Sequence, residues 1–497
     1  MTFHLKTLRP LFVTCARALA GDWASRMPAE VGTPCVCEKL HTISRIVLIW
    51  CIGVTLLVGS AFRQVRWSYV DTAVNLSAAG DTRSWHEVLS DSLTKSAEYR
   101  PFLDVFTRLG YQAAGLNLGI YQGIVIVEFA LILLALALMF RPDGWPRVTA
   151  AILALSIAVG LHTSRILFLF VPLNAYATSM LIVLTVTLLL MTPRLRGYEW
   201  VLLPLTLAGL LWLELAVLIV PLALVGWVMK APGATWRSAA AAVAGLTIYL
   251  IARLGFAPSL MGSPETGFGF SSISPAESAA RFGDAPWVLW LYNVGSTMLT
   301  VVASEPRAGR FQFVRALTLS DVPVWMWLHV LSSVATTAVV VVGLAGIRRR
   351  PHRDQVIAAF GGVLIAGGSA LAFLYTRDRI GLPAGIGYAM VTYVAVSALL
   401  ERVRSGRPFV LALVAALGLC WSIRSAEMYV ALRDTAWDYR LEWDRGEAVS
   451  AGRQNQVIAR MRQSALSHTP ADAERDPRWT YILFERRFSP AAEEPGQ

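Results

Sequence analysis

The run Glu199–Met229, EWVLLPLTLAGLLWLELAVLIVPLALVGWVM, is apolar almost throughout and carries two charges, Glu199 and Glu214. A helix crosses the ~30 Å hydrocarbon layer of a bilayer in about 20 residues, so this run is over-long for one crossing and short for two. Its flanks decide between them. Arg194 and Arg196 precede it, and Lys230 and Arg237 follow it. Basic loops stay on the cytoplasmic side, so the number of crossings between them is even. The run therefore reads as two short helices turning near Glu214. A turn at the outer face also spares that carboxylate the cost of the bilayer centre.

The rest of the chain has the same character. Of 497 residues, 55% are hydrophobic and 15% charged, against about 25% charged in soluble domains. Lipid accepts that much apolar surface; a single water-facing fold does not. The net charge of +11 comes from short clusters between apolar runs, such as Arg348-Arg349-Arg350 and Arg402, Arg404 and Arg407. That is the pattern of cytoplasmic loops rather than the one-faced basic footprint of a nucleic-acid binder. The five cysteines (Cys15, Cys35, Cys37, Cys51, Cys420) show no metal or redox spacing. The first strong apolar run begins near Ile43 and reads as an uncleaved signal anchor.

These signals predict an all-α polytopic membrane protein of about 11 transmembrane helices with a long first outer loop. Residues 1–42, rich in Lys and Arg, form a cytoplasmic tail, and residues 43–424 form the bundle. Its outer loops are 63–115 and 257–324, and residues 425–497 form an extracytoplasmic tail, helical through about Leu466. The apolar stretch Trp287–Val302 is read as an interfacial or re-entrant helix, because a crossing there would put Arg348–Arg353 outside. The protein is expected in a bacterial inner (plasma) membrane, N-terminus cytoplasmic and C-terminus extracytoplasmic.

This topology gathers unusual polar residues on the outer side. Asp71 and then Glu98-Tyr99-Arg100-Pro101 lie in the first outer loop, and His162 and Arg165 in the next turn. Glu214 and Arg377-Asp378-Arg379 lie in later turns. Carboxylates beside arginines suit removal of a hydroxyl proton and binding of a phosphate. Taken singly, each reads equally as a solvated anchor at a helix end. Glu214 is the exception, since a carboxylate in such an apolar run needs a partner or a cavity. No Walker-type or GxSxG motif occurs, and His162, His329 and His352 lack metal-ligand spacing. Gly361-Gly362 and Gly367-Gly368 read as close helix packing rather than phosphate binding.

Five short pieces resemble, in order, the GT-C membrane glycosyltransferases, and within them the O-mannosyltransferase branch whose eukaryotic members carry tetratricopeptide repeats. They are Trp67-Ser68-Tyr69-Val70-Asp71, Glu98-Tyr99-Arg100-Pro101-Phe102, Leu161-His162, Leu213-Glu214-Leu215-Ala216-Val217 with Pro221, and Asp378-Arg379-Ile380-Gly381-Leu382-Pro383 with Gly385. Thr72 stands where the family has a second acidic residue, and no repeats follow the last span. The resemblance implies transfer of a sugar from a polyprenyl-phosphate-linked donor to an acceptor hydroxyl on a polymer, glycan or protein, by inversion at the anomeric carbon.

Asp71 is then the expected catalytic base, and Arg100 and Arg379, backed by Arg165 and Arg377, hold the donor phosphate. Glu98, Tyr99, Asp378, Glu214 and His162 complete the substrate-binding set. Some family members use a divalent metal and others do not, and no ligand set here selects between them. Two other classes fit a many-span bundle: a transporter or flippase for a lipid-linked or anionic solute, and an O-antigen ligase or polymerase. Repeat symmetry, the mark of common transporters, is not visible.

Overall fold

The computed structural model describes residues 34–65, 67, 84–94, 99–168, 174–256, 285–306, 311–373, 378–402, 408–445, 459–461 and 463. All regular structure among them is helical. The long helices are α1 (Pro34–Phe62), α4 (Leu118–Phe140), α5 (Trp145–Gly160), α6 (Ala175–Leu190), α9 (Trp236–Phe256), α12 (Val324–Leu344), α13 (His352–Ala370), α14 (Leu382–Arg402) and α15 (Pro408–Arg445). Shorter ones are α2 (Trp85–Thr94), α3 (Pro101–Ala114), α7 (Leu202–Trp212), α8 (Ile219–Val228), α10 (Pro286–Val302) and α11 (Gln312–Thr318).

Six described helices are long and apolar enough to cross a membrane, and seven if α5 and the 3-10 turn His162–Phe168, bent by 68°, count as one span. This is fewer than the expected eleven or so. The difference lies in helices that are apolar but short, among them α6, α10 and the two arms at Glu214. The Glu199–Met229 run does fold as a hairpin. Leu213 is extended (φ −160°, ψ 138°), ends α7 and opens a 3-10 turn, Glu214–Leu218, into α8. The turn folds back on α7, so that a Cβ on Gly209 would lie 2.6 Å from that of Ala216.

Helix α14 is the axis of the bundle, its residues Leu382–Ser397 buried without interruption, with α5, α12 and α13 packed around it. Small residues permit this. A Cβ on Gly361 of α13 would lie 2.7 Å from the Gly387 carbonyl oxygen of α14, and one on Gly368 2.7 Å from the Ala384 nitrogen. In lipid, where burying apolar surface gains little between helices, such contact supplies the packing energy.

One end of the bundle is basic and laced by ion pairs. Arg147 meets Glu401 at 2.9 Å, Asp143 at 3.2 Å and Asp354 at 3.3 Å, and Arg350 meets Glu401 at 2.6 Å and Asp354 at 3.0 Å. These join α5, α13 and α14. The Glu214 hairpin is anchored at the same end: Glu199 accepts the Gly197 N–H (2.9 Å) and the Thr235 hydroxyl (3.3 Å), while His352 reaches the Met229 carbonyl at 2.7 Å. Of the tail expected to be helical through about Leu466, residues 425–445 continue α15 and 459–461 are helical, while 446–458 and 464–466 lie outside the described residues.

Candidate functional site

The end opposite the basic one carries two clusters of charged side chains. The first is built around Glu214. The hairpin turn presents its carboxylate, and α3 and α9 each bring an arginine. Arg100 immediately precedes α3, whose first residue is Pro101. Its Nε and Nη2 both lie 3.0 Å from Glu214 Oε2. Arg253 Nη1 lies 3.2 Å from Glu214 Oε1 and donates to the Tyr249 hydroxyl at 2.7 Å. Arg253 stands about 26 Å along α9 from Trp236, at 1.5 Å per residue, which places the cluster near the far side of a ~30 Å layer.

Backbone geometry explains how Arg100 is aimed. Tyr99 has φ 47°, a left-handed conformation few non-glycine residues adopt. The kink sends the Tyr99 ring inward, 1% exposed, with its centroid 5.9 Å from that of Tyr249. The next side chain, Arg100, then faces Glu214. Burial raises the Tyr99 phenol, and the Arg253 charge opposes that rise. Among the described residues, two guanidiniums share this one carboxylate. The three side chains are 12–25% exposed, so fixed N–H forks and partial solvent access coincide. Such a group suits a phosphate, whose oxygens match the planar guanidinium fork.

The second cluster contains His162 and Arg165, three residues apart on the 3-10 turn after α5 and so on one face of it. His162 is 3% exposed and its Nε2 lies 3.1 Å from His329 Nδ1 of α12; Arg165 is half-buried. The turn Asp378–Gly381 packs against this one. A Cβ on Gly381 would lie 2.8 Å from Thr163 Cγ2, and one on Gly385 2.5 Å from Thr163 Oγ1. The Asp378-Arg379 backbone is thus brought beside His162 and Arg165. Helix α10 leans on the same end, with Asn293 Nδ2 donating to the Phe373 carbonyl at 2.9 Å.

The structure therefore unites Arg100, Tyr99 and Glu214 in one cluster, and sets His162 and Arg165 beside the turn of Asp378 and Arg379. Asp71, Glu98 and Arg377 lie outside the described residues. Sequence reading missed Arg253 and Tyr249, which occupy the last turns of an apolar helix, weighed His329 only as a metal ligand, and passed over Arg424 and Glu427 at the junction of the last span and the tail. For Arg253 the signal was a charge inside an apolar helix. Among the described residues no three His, Cys, Asp or Glu side chains converge as metal ligands. No protein-family model, curated protein or solved structure matches this chain.

Proposed function

We propose that this chain is a membrane glycosyltransferase that moves a sugar from a polyprenyl-phosphate carrier to an acceptor hydroxyl on the outer face. The observation that carries the reading is the Arg100–Glu214–Arg253 cluster, two guanidinium forks fixed by one carboxylate and partly accessible at the end opposite the basic loops. Transfer turns a phosphodiester of charge −1 into a phosphomonoester approaching −2, so positive charge fixed near the leaving oxygens favours the transition state over the ground state. On this reading Arg100 and Arg253 face the phosphate, and Glu214 holds both guanidiniums in place before the donor arrives. Arg379, Arg165 and Arg377 form the rest of the phosphate wall, and Asp71 takes the acceptor proton, a role that contributes about 10²–10⁴-fold.

The basic clusters at the other end, Arg348–Arg350 and Arg353 among them, orient that end toward the cytoplasm. Helix α10 carries exposed Trp287, Trp290 and Tyr292, residues typical of a membrane–water interface, and flanks a lipid-facing path for the isoprenoid tail. The acceptor is a polymer, glycan or protein hydroxyl in the cell envelope.

The test is a transfer assay on the full chain in nanodiscs with polyprenyl-phosphate monosaccharides. Arg100→Ala is expected to lower the rate by about 10²–10³-fold, as loss of a preorganised donor does, and Asp71→Asn by a similar factor. Undiminished rates in both variants refute these roles. Activity only with oligosaccharide diphosphate donors points instead to a ligase or polymerase.

A further inference from the structure

At the basic end the arginines divide into those with partners and those without. Arg147 meets Asp143, Asp354 and Glu401, and Arg350 meets the last two. Arg353 donates to the Met139 carbonyl at 2.6 Å. These three arginines and three carboxylates balance one for one. Arg348 and Arg349, on the 3-10 turn Ile347–Arg349 between α12 and α13, and Arg402, the last residue of α14, are exposed. Among the described residues none of these three meets a carboxylate.

The turn that presents them is fixed from several sides. The Arg349 and Arg350 N–H groups donate to the Gly346 and Ile347 carbonyls, each at 3.0 Å. From α13, Gln355 Nε2 donates to the Arg348 and Arg350 carbonyls at 3.3 and 2.9 Å. Arg350 ties the turn to α14 through Glu401 at 2.6 Å. Arg402 lies over the same turn, so close that a Cβ on Gly346 would collide with its Nη2. Gly346 has φ −151°, outside the left-handed region, so what glycine supplies there is room for that guanidinium. Three cationic forks thus meet at one turn, two on the turn itself and one from α14.

The turn continues a lipid-facing surface. Leu331, Val334, Val341 and Val342 of α12 are exposed and fall within about 100° of arc on one face of the helix. From Leu331 to Val342 that face is about 17 Å long at 1.5 Å per residue, close to half of a ~30 Å hydrocarbon layer and so to the depth of one leaflet. A ligand that uses both parts needs an anionic group at the edge of the layer and apolar chains one leaflet long. A soluble anion would use only the arginines. Basic pockets at the ends of transmembrane helices hold phospholipid head groups, and the planar guanidinium fork matches phosphate oxygens.

We propose that the α12–α13 turn is a binding site for an anionic phospholipid of the leaflet at that end. Arg348, Arg349 and Arg402 hold its phosphate, and its acyl chains lie on the exposed face of α12. The site is remote from Glu214 and does not rest on the transfer reading. It differs from the general attraction of basic loops to a charged membrane in requiring one position of Arg402, over Gly346.

The test is native mass spectrometry of the full chain in detergent micelles, with phosphatidylglycerol or phosphatidylcholine of the same acyl chains added at equal concentration. The wild type is expected to retain phosphatidylglycerol about tenfold more tightly or better. One basic side chain at an anionic lipid contributes about fivefold in affinity, so Arg348→Gln, Arg349→Gln and Arg402→Gln are each expected to weaken retention by that factor. Gly346→Ala keeps every charge and displaces only the Arg402 guanidinium, and is expected to weaken retention as much as Arg402→Gln. Arg196→Gln, at an exposed arginine in another loop of the same end, is expected to leave retention unchanged. Equal retention of the two lipids by the wild type overturns the proposal without recourse to any variant. An Arg196→Gln loss equal to those at the turn overturns it in favour of diffuse charge, and full retention in both Gly346→Ala and Arg402→Gln overturns the assigned geometry. Inorganic phosphate bound as tightly as the lipid assigns the turn to a soluble anion instead.

Discussion

Glu214 serves two arginines with one carboxylate, and the consequences of removing it differ from those of removing either partner. Its ion pairs are only 12–25% exposed, between the surface case, worth up to about 1 kcal/mol, and the buried case, where breaking a pair costs about 3–5 kcal/mol. Glu214→Ala removes the carboxylate that both guanidiniums share and is expected to cost about 1–3 kcal/mol in reversible unfolding from mixed micelles. Arg253→Ala alone leaves Glu214 paired with Arg100 and is expected to cost less. In a double-mutant cycle Glu214→Ala with Arg100→Ala should fall short of the sum of the single effects by at least about 0.5 kcal/mol; strict additivity would show that the contact does not hold the cluster. Arg100 and Glu214 stood out separately in the sequence, one before a proline and one as a charge in an apolar run. Their pairing across 114 positions was not legible, because local pattern carries no information on which helix ends meet. Arg253 was less visible still: a lone arginine in the last turn of an apolar helix looks like any interfacial anchor.

At the scale of elements, period and punctuation were read well where a helix faces one environment, and poorly where it is short. The hairpin at Glu214 followed from flanking charge alone. The count of crossings did not, because α6, α7, α8 and α10 are apolar enough for lipid yet fall below a full span, and only neighbouring helices show what completes them. Of the α13 glycines read as packing sites, Gly361 and Gly368 meet the backbone of α14, whereas Gly362 faces open space and packs on nothing. On the facing helix α14, a Cβ at Gly387 would meet the Gly361 carbonyl oxygen and lie 2.9 Å from the Ile365 nitrogen, backbone that cannot give way. Gly387→Ala is therefore expected to destabilise by about 1–3 kcal/mol through overpacking and Gly362→Ala to be neutral or better, compared by unfolding midpoint in one detergent. The latch at the basic end adds a pH signature. Backbone N–H groups at Glu199 itself and at Gly197, with the Thr235 hydroxyl, hold the Glu199 carboxyl below its ordinary range. A depressed folded value means that the stabilisation is complete above the unfolded value of ~4.3 and disappears as pH falls through the folded one. The stability gap between wild type and Glu199→Gln should thus be constant near neutrality and close in acid; a gap that widens in acid contradicts the latch.

For the whole molecule, composition alone settles that the chain belongs in lipid, and what remains is which end faces which side. Ion pairs across 207 and 254 positions, Arg147 with Asp354 and with Glu401, bind one end of α5, α13 and α14, and the exposed Arg348 and Arg349 sit beside them. The Glu214 and His329 clusters occupy the other end. The bundle is thus electrically polarised along its axis, with surplus basic loops at one end and a partly buried set of arginines, histidines and carboxylates at the other. Basic loops resist translocation, so the end of Arg147 should face the cytoplasm and Asp321, exposed in the segment joining α11 to α12, should face outward. In intact cells a membrane-impermeant maleimide is expected to label Asp321→Cys above the background of the native cysteines and to leave Arg349→Cys unlabelled until the membrane is permeabilised. The reverse pattern would put Arg100 and Arg253 on the cytoplasmic side, where a lipid-linked donor of the outer leaflet cannot reach them, and would end the proposed function while leaving the fold intact.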